Sequence, residues 1–206
     1  MNKKAPLFTL AAHQKEQYDE VLNVAGICQY EKEHTDQVTN LAISIFDQLQ
    51  PLTGLDEQAR FYLLCAATLH DIGVHTEGAQ GHHKTALHII LSTPLLHFNS
   101  QERLLIGSIA RYHRKALPSS HHSHFAALSK PAQKLVVQLS AILRVADGLD
   151  YRHKALVQKV KLKISNEKLT FFCTSKYNID KEITSASHKS DLMHTTFNRK
   201  VIFKEN

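Results

Sequence analysis

The sequence predicts a mainly α protein, a helical bundle with a small α/β unit at its C-terminal end. Three observations carry that expectation. Apolar residues recur at intervals of three and four through the first 150 positions, as in Val38, Leu41, Ile45 and Leu49, which gives each helix one buried stripe. After Tyr151 the period shortens to two: LVQKVKLKIS and KLTFFCTS alternate apolar and polar residues around NEK, the pattern of a β-hairpin. Charge changes at the same place. Residues 1–154 carry 15 Lys and Arg against 14 Asp and Glu, whereas residues 155–206 carry 10 against 5, so most of the net +6 belongs to the tail.

Taken in order, the apolar stripes predict helices near 14–26, 33–49, 56–71, 82–93, 100–115 and 130–152, punctuated by QPLTG, STP and ALPSSHHSH. In the tail the hairpin is followed by a helix within NIDKEITSASHKSDLMHTTF and a last strand in RKVIFK. The expected division is a helical domain over 1–154 and a basic α/β subdomain of hairpin, helix and strand over 155–206. A chain of 206 residues, 43% of them hydrophobic, is long enough to bury a core under this arrangement.

Composition removes several function classes. The cysteines Cys28, Cys65 and Cys173 are odd in number and lack CxxC spacing, so neither a disulfide framework nor a thiolate zinc site is indicated, and a reducing cytoplasm fits. The start, MNKKAPLFTLAAHQKEQ, has a basic tip but too short an apolar stretch for a cleaved signal; no later run is long enough to span a bilayer, and a soluble cytoplasmic chain is expected. The basic tail by itself implies little more than solubility. Nucleic acid is disfavoured as a partner, because no recognition motif or series of stacking aromatics accompanies the charge. No Walker loop, GxSxG or Rossmann glycine pattern is present.

The chemistry-bearing residues are concentrated around LHDIGVHTEGAQGHHK, residues 69–84. His70 and Asp71 end the apolar run FYLLCAATL, where side chains can turn toward a cavity. Two adjacent ligands need a partner shell. His34 opens the amphipathic HTDQVTNLAISIFDQL, and Asp147 lies in SAILRVADGLD, an apolar helix that would hardly bury a carboxylate without compensation. Imidazole and carboxylate together suit one or two divalent ions such as Mn²⁺, Fe²⁺, Co²⁺, Ni²⁺ or Zn²⁺, with Mg²⁺ also allowed. His82 and His83 beyond the turn at Gly78 and Gly81, and His113 in GSIARYHRKALP, permit the second ion, with Asp71 bridging the two. Either His82 or His83 could supply that imidazole. A water shared by two ions would lose a proton and become a nucleophile. His70, Asp71 and His113 are therefore assigned to catalysis, an imidazole passing a proton to the leaving group.

Lys84, Arg111, Arg114 and Lys115 accompany these residues, and phosphate oxygens need such cations. A helix C-terminus favouring positive charge accounts equally well for part of RYHRK. Arg144, one turn before Asp147, is placed to contact substrate or to orient that carboxylate. His121, His122 and His124 in HHSH read as a solvated loop, the alternative being a phosphate-attracting stretch over the site mouth.

Through His34, His70–Asp71 and Asp147 on separate helices the chain resembles the HD-domain metal-dependent phosphohydrolases. HTDQVTNLAISIFDQL, LLCAATLHDIGVH, HHKTALHII, IARYHRKALP and LSAILRVADGLDYRH look like the C-terminal HD-type region of the exopolyphosphatase/guanosine pentaphosphate phosphohydrolase (Ppx/GppA) family, over about residues 15–155. The resemblance implies an HD-domain helical bundle in which His34, His70, Asp71 and Asp147 hold one metal and His83 and His113 serve a second. Members of that family carry, ahead of this region, an actin-like pair of domains with their phosphatase site. These 206 residues contain no such pair, so catalysis is expected to come from the HD-type centre. The expected reaction is hydrolysis of a phosphoester or phosphoanhydride in a nucleotide or polyphosphate-like small molecule. The alternative is a non-catalytic module that binds a phosphorylated ligand or polyphosphate; a homodimer is left open.

Overall fold

The structure, a computed structural model, describes residues 10–206 except positions 79 and 96; the side chain of Glu77 is also outside the description. The reading of the opening stretch as no cleaved signal thus falls partly on residues outside the described range. The fold is mainly α with a small C-terminal α/β part. Its elements are α1 (Ala12–Ile27), α2 (Lys32–Thr53), α3 (Glu57–Leu69), the single turn α4 (Val74–Glu77), α5 (His82–Ser92), α6 (Ser100–Arg111), the single turn α7 (Ser123–Ala126) and α8 (Lys130–Gly148). There follow β1 (Lys159–Ile164), β2 (Lys168–Thr174), α9 (Asp180–His188), α10 (Asp191–Phe197) and β3 (Lys200–Glu205).

Local chemistry fixes the starts of the long helices. Asp56 accepts the Ala59 amide before α3, Asn99 and Glu102 form a capping box on α6, and Ser129 caps α8 with Pro131 in its first turn. Helix α2 outruns its expected end at 49, continuing through Pro51 to the left-handed cap Gly54. α3 is the axis of the bundle: it packs against α1, α2, α6 and α8, and Leu63, Leu64, Cys65, Ala66 and Ala67 are fully buried. Among the described residues no helix is long and apolar enough to cross a membrane.

Two helices end earlier than the apolar period suggests, α6 at 111 instead of 115 and α8 at 148 instead of 152. In both, the chain tightens into short-range turns, His113 N donating to Ala110 O and Asp150 N to Asp147 O. α3 closes in the same way, with Ile72 N on Leu69 O. These three tightened ends face one another.

The tail is a hairpin, two helices and a strand. β1 and β2 pair antiparallel from Lys159↔Thr174 to Ile164↔Leu169; β3 lies parallel to β2, Lys168 opposite Lys200, giving the order β1-β2-β3. One helix was expected where α9 and α10 stand; the break falls at Lys189–Ser190, and both helices pack on α8. Gly148 makes that packing available. A Cβ there would lie 2.6 Å from the Ala186 Cα on α9, so a side chain of any size would push α9 away. On the other side, the Gln48 amide of α2 serves the free edge of β1 as a peptide group would, donating to Val160 O and accepting from Leu162 N.

Candidate metal centre

The tightened helix ends deliver a cluster of imidazoles and carboxylates. His34 stands in the first turn of α2, His70 caps α3 with Asp71 next to it, His82 opens α5, His113 follows α6 by two residues, and Asp147 lies in the last turn of α8. His34 Nε2 is 3.7 Å from Asp71 Oδ2 and 3.6 Å from Asp147 Oδ1, and His70 Nε2 is 3.6 Å from Asp71 Oδ2. On the other face of the same carboxylate, Asp71 Oδ1 is 3.1 Å from His82 Nε2 and 3.4 Å from His113 Nε2, and those two nitrogens are 3.3 Å apart. Donors around one ion with bonds of about 2.1 Å sit about 3.0–3.4 Å apart, so both groups have nearly the span an ion requires. His34, His70 and Asp147 form one group and Asp71, His82 and His113 the other, the donors of each lying within 4.8 Å of one another. Asp71 directs one oxygen to each.

The tautomers are set from behind. His70 Nδ1 bonds Ala67 O at 2.6 Å, His113 Nδ1 bonds Ala110 O at 2.7 Å, and His34 Nδ1 bonds Asp150 Oδ2 at 2.8 Å. A carbonyl only accepts, so Nδ1 of His70 and of His113 must donate, and in the neutral ring the lone pair is left on Nε2. His34 Nε2 and His70 Nε2 are buried without a hydrogen-bond partner, the arrangement a cation would satisfy. Burial pushes His70 below the ordinary histidine value and His113 down to about 3, keeping both neutral. At His34 burial acts downward, but the Asp150 bond and the Asp147 and Asp71 carboxylates outweigh it and raise the value. Asp147 is held ionised despite its burial, chiefly by the Lys189 ammonium.

Gly73, the last residue of HDIG, explains how α5 reaches the centre. A Cβ there would lie 2.3 Å from His82 O and 2.9 Å from the Thr85 Cβ, so only glycine admits the start of α5. Gly81, with φ of 88°, turns the chain into that helix. Successive residues on a helix point about 100° apart, and only one of the His82–His83 pair can face Asp71. It is His82. The sequence reading favoured His83, which instead packs edge-on to His113 at 6.3 Å with Nδ1 buried and unpartnered. Burial, with Arg111 adding to it, takes His83 down to about 4.

Of the five cations singled out in the sequence, Arg114 lines the cavity over the centre, its Nη1 3.3 Å from His82 Nε2. The other four are placed elsewhere. Lys84 and Lys115 are exposed on the outer side of their turns. Arg111 is buried at the end of α6 near the Tyr112 ring, with Nη1 unpartnered. Arg144 neither contacts the cavity nor orients Asp147: it pairs with Asp191 at 3.0 Å and donates to Tyr112 O and Lys115 O, tying α10 to the chain after α6. The HHSH stretch is partly helical, not a plain loop. His122 bonds the Tyr112 hydroxyl at 2.8 Å and stacks on His124, so these rings pack behind α6.

Several residues of the site escaped the sequence reading. Asp150 orients His34 and also accepts the Ala155 amide at 2.8 Å; its only signal was its spacing of three from Asp147. His153 stacks on His34, the centroids 3.6 Å apart, and bonds Glu31 at 2.7 Å. Lys189 donates to Asp147 Oδ2 across 42 positions of sequence, a separation that no local pattern reports. The cavity, of about 280 Å³, is walled by Asp71, His82, His113 and Asp147 from the helical body and by Ser185 and Lys189 from the tail.

A mainly helical fold whose helix ends gather two His/Asp groups around a shared aspartate defines the class: a helical domain with a candidate metal centre. Residues 18–192 match the family model described as Ppx/GppA phosphatase, domain III, and the chain belongs to that family. It is 29% identical over 160 residues to a guanosine-5'-triphosphate,3'-diphosphate pyrophosphatase of Vibrio vulnificus (strain YJ016), a match covering 77% of this chain and 31% of the relative. A protein of the same name from Vibrio atlanticus (strain LGP32) is 28% identical over 168 residues, 81% of this chain and 33% of the relative. The chain thus spans about a third of the length of these curated relatives.

Proposed function

We propose that this chain is an HD-type, metal-dependent phosphohydrolase acting on a phosphoester or phosphoanhydride of a nucleotide or polyphosphate-like small molecule. The observation that carries the reading is the convergence of Nε2 atoms whose rings are fixed from behind by Ala67 O, Ala110 O and Asp150. His34, His70, Asp71 and Asp147 would hold one divalent ion, and Asp71, His82 and His113 a second. Bound there, the ions would supply Lewis acidity and a nucleophile drawn from water. The donor set, imidazole and carboxylate without thiolate, suits Mn²⁺, Fe²⁺, Co²⁺, Ni²⁺ or Zn²⁺.

The chain's own residues have separate tasks in this reading. Asp71 keeps the two groups at a fixed spacing by offering one oxygen to each. Arg114 and Lys189, both in the lining of the cavity, hold phosphoryl oxygens and offset the charge that grows in the transition state. The division into a helical domain over 1–154 and a tail subdomain over 155–206 is part of the proposal, the tail supplying the second wall. The names of the relatives support a guanosine polyphosphate among the substrates to be tried. The three cysteines, free thiols all, fit a reducing cytoplasm.

The test is metal content and turnover in the same preparations. The parent should retain about two divalent ions and hydrolyse at least one compound in a panel of nucleotides, guanosine polyphosphates and inorganic polyphosphate supplied with Mn²⁺, Co²⁺, Fe²⁺ or Mg²⁺. Asp71→Ala should lose both ions and all turnover. His82→Ala should lose about one equivalent, and His83→Ala neither. Full metal retention by Asp71→Ala refutes the assignment, and a parent that binds metal but hydrolyses nothing favours the binding-module alternative.

A further inference from the structure

The cavity over Asp71 and Asp147 does not end at Lys189. Tyr151, Ser185 and Lys189 line it and also line a second hollow of about 550 Å³, whose other wall is the face of α9 bearing Lys181, Thr184 and His188. Those residues recur at the spacing of one helical face, so they look into the hollow together. Tyr151 stands where the two spaces meet and is 57% exposed, a large aromatic surface with no packing role that would explain it. The second hollow by itself is of the size that small-molecule sites occupy, and it is continuous in its lining with the smaller cavity over the centre.

Charge falls away along this path. The metal end is rich in groups for a phosphoryl oxygen, and Lys189 stands at the junction. Beyond it one cation, Lys181, stands beside one carboxylate, Asp180, and what remains is the Tyr151 ring, the His188 imidazole and the hydroxyls of Thr184 and Ser185. A chain of further phosphates would need cations at every step; a flat organic ring needs a stacking surface and a few hydrogen-bonding edges.

From this we infer that the Tyr151–α9 hollow receives the uncharged, ring-bearing part of a phosphate ester, a nucleobase laid against Tyr151, while Lys189 takes a phosphoryl oxygen at the junction. The inference rests on the proposed metal centre holding the phosphoryl group. It separates nucleotide from inorganic polyphosphate as the ligand of this cleft, and it makes the tail a determinant of specificity.

The experiment is calorimetric titration of the full, metal-loaded chain with two probes, inorganic phosphate and the non-hydrolysable 5′-phosphonate analogues of adenosine and guanosine monophosphate. Parent protein should bind the nucleoside phosphonates more tightly than phosphate. Tyr151→Ala should weaken the nucleoside probes about 5–100-fold, the range of one lost base-stacking contact, and leave phosphate within twofold. Tyr151→Phe should restore the nucleoside affinity, since the ring and not the hydroxyl is the platform. Lys189→Met should weaken both probes. The inference is overturned if Tyr151→Ala leaves the nucleoside probes within twofold, if it weakens phosphate equally, or if the parent binds them no better than phosphate. Failure of the metal reading has a different signature: Asp71→Ala, stripped of metal or not, would then bind phosphate as the parent does.

Discussion

Asp150 gives the sharpest test of how the centre is held. Its carboxylate accepts from His34 Nδ1 at 2.8 Å and from the Ala155 amide at 2.8 Å, and it is almost wholly buried. Asp150→Ala removes the acceptor that fixes the His34 ring and leaves a buried N–H unsatisfied. Loss of such a supporting carboxylate weakens metal binding by about 10–100-fold, or about 1.4–2.7 kcal/mol. Asp150→Asn keeps an oxygen for either donor but loses the charge that makes the imidazole a stronger base. The expected order of affinity is parent, then Asn about tenfold weaker, then Ala near the hundredfold end. Competition with a chromophoric chelator at fixed pH reads these constants directly, with circular dichroism checking that helicity is kept. If Asp150→Ala binds metal within twofold of the parent while folded, His34 is not a ligand oriented by Asp150 and the first metal group is wrongly drawn.

Two further outcomes follow from burial and close contact. Gly148→Ala should force α9 off α8, because its Cβ would meet the Ala186 backbone at 2.6–2.8 Å; overpacking of this kind costs about 1–3 kcal/mol, a fall of about 2–12 °C in melting temperature, and an unchanged melting temperature would show the contact to be loose. His113, depressed to about 3 by burial, makes the metal-free protein acid-sensitive. Below about pH 6.5 the unfolded chain takes up a proton that the folded one refuses, so its contribution is whole above that pH and lost as pH falls toward 3, at about 1.4 kcal/mol per unit. Urea unfolding with chelator present should show about 2 kcal/mol less stability at pH 5 than at pH 6.5 from this residue. His70, His83 and His124, lowered by burial too, add to the slope, and His34, raised, opposes it. His113→Gln should flatten the dependence; an unaltered slope would contradict the burial argument.

The helical body and the hairpin were legible because each buries one face, and a buried face writes its period into the sequence, as Val38, Leu41 and Ile45 do in α2 and Val160, Leu169 and Phe171 do in the sheet. Helix ends were less so. Tyr112 and His113 continue the apolar and buried pattern of α6 after its hydrogen bonding has tightened, and the pattern alone cannot register that change. The placing of His34, His70, Asp71 and Asp147 near one another could be anticipated from residue type at helix ends. Which of His82 and His83 faces Asp71 could not, since that depends on the rotation set at Gly81 and the approach permitted at Gly73. Arg144 was misread because its partner, Asp191, lies 47 positions away on a helix the sequence reading did not separate from α9. Lys189 sat in the break between those two helices.

The centre is assembled from the parts of the helices that hold least firmly on their own. The middles of α3, α6 and α8 are sealed in the core, yet it is their last turns, where amides bond at short range, that carry His70, His113 and Asp147. Packing makes up for it: His70, Tyr112, His113, Leu149 and Asp150 are each 1% exposed or less, so these turns are sealed together with the core behind them. Donors set in such turns are held at their spacing by the bundle itself. His34 and Asp150, 116 positions apart, tie the start of α2 to the turn that follows α8 across this rim of turns, so the two ends of the helical body share one hydrogen bond at the centre.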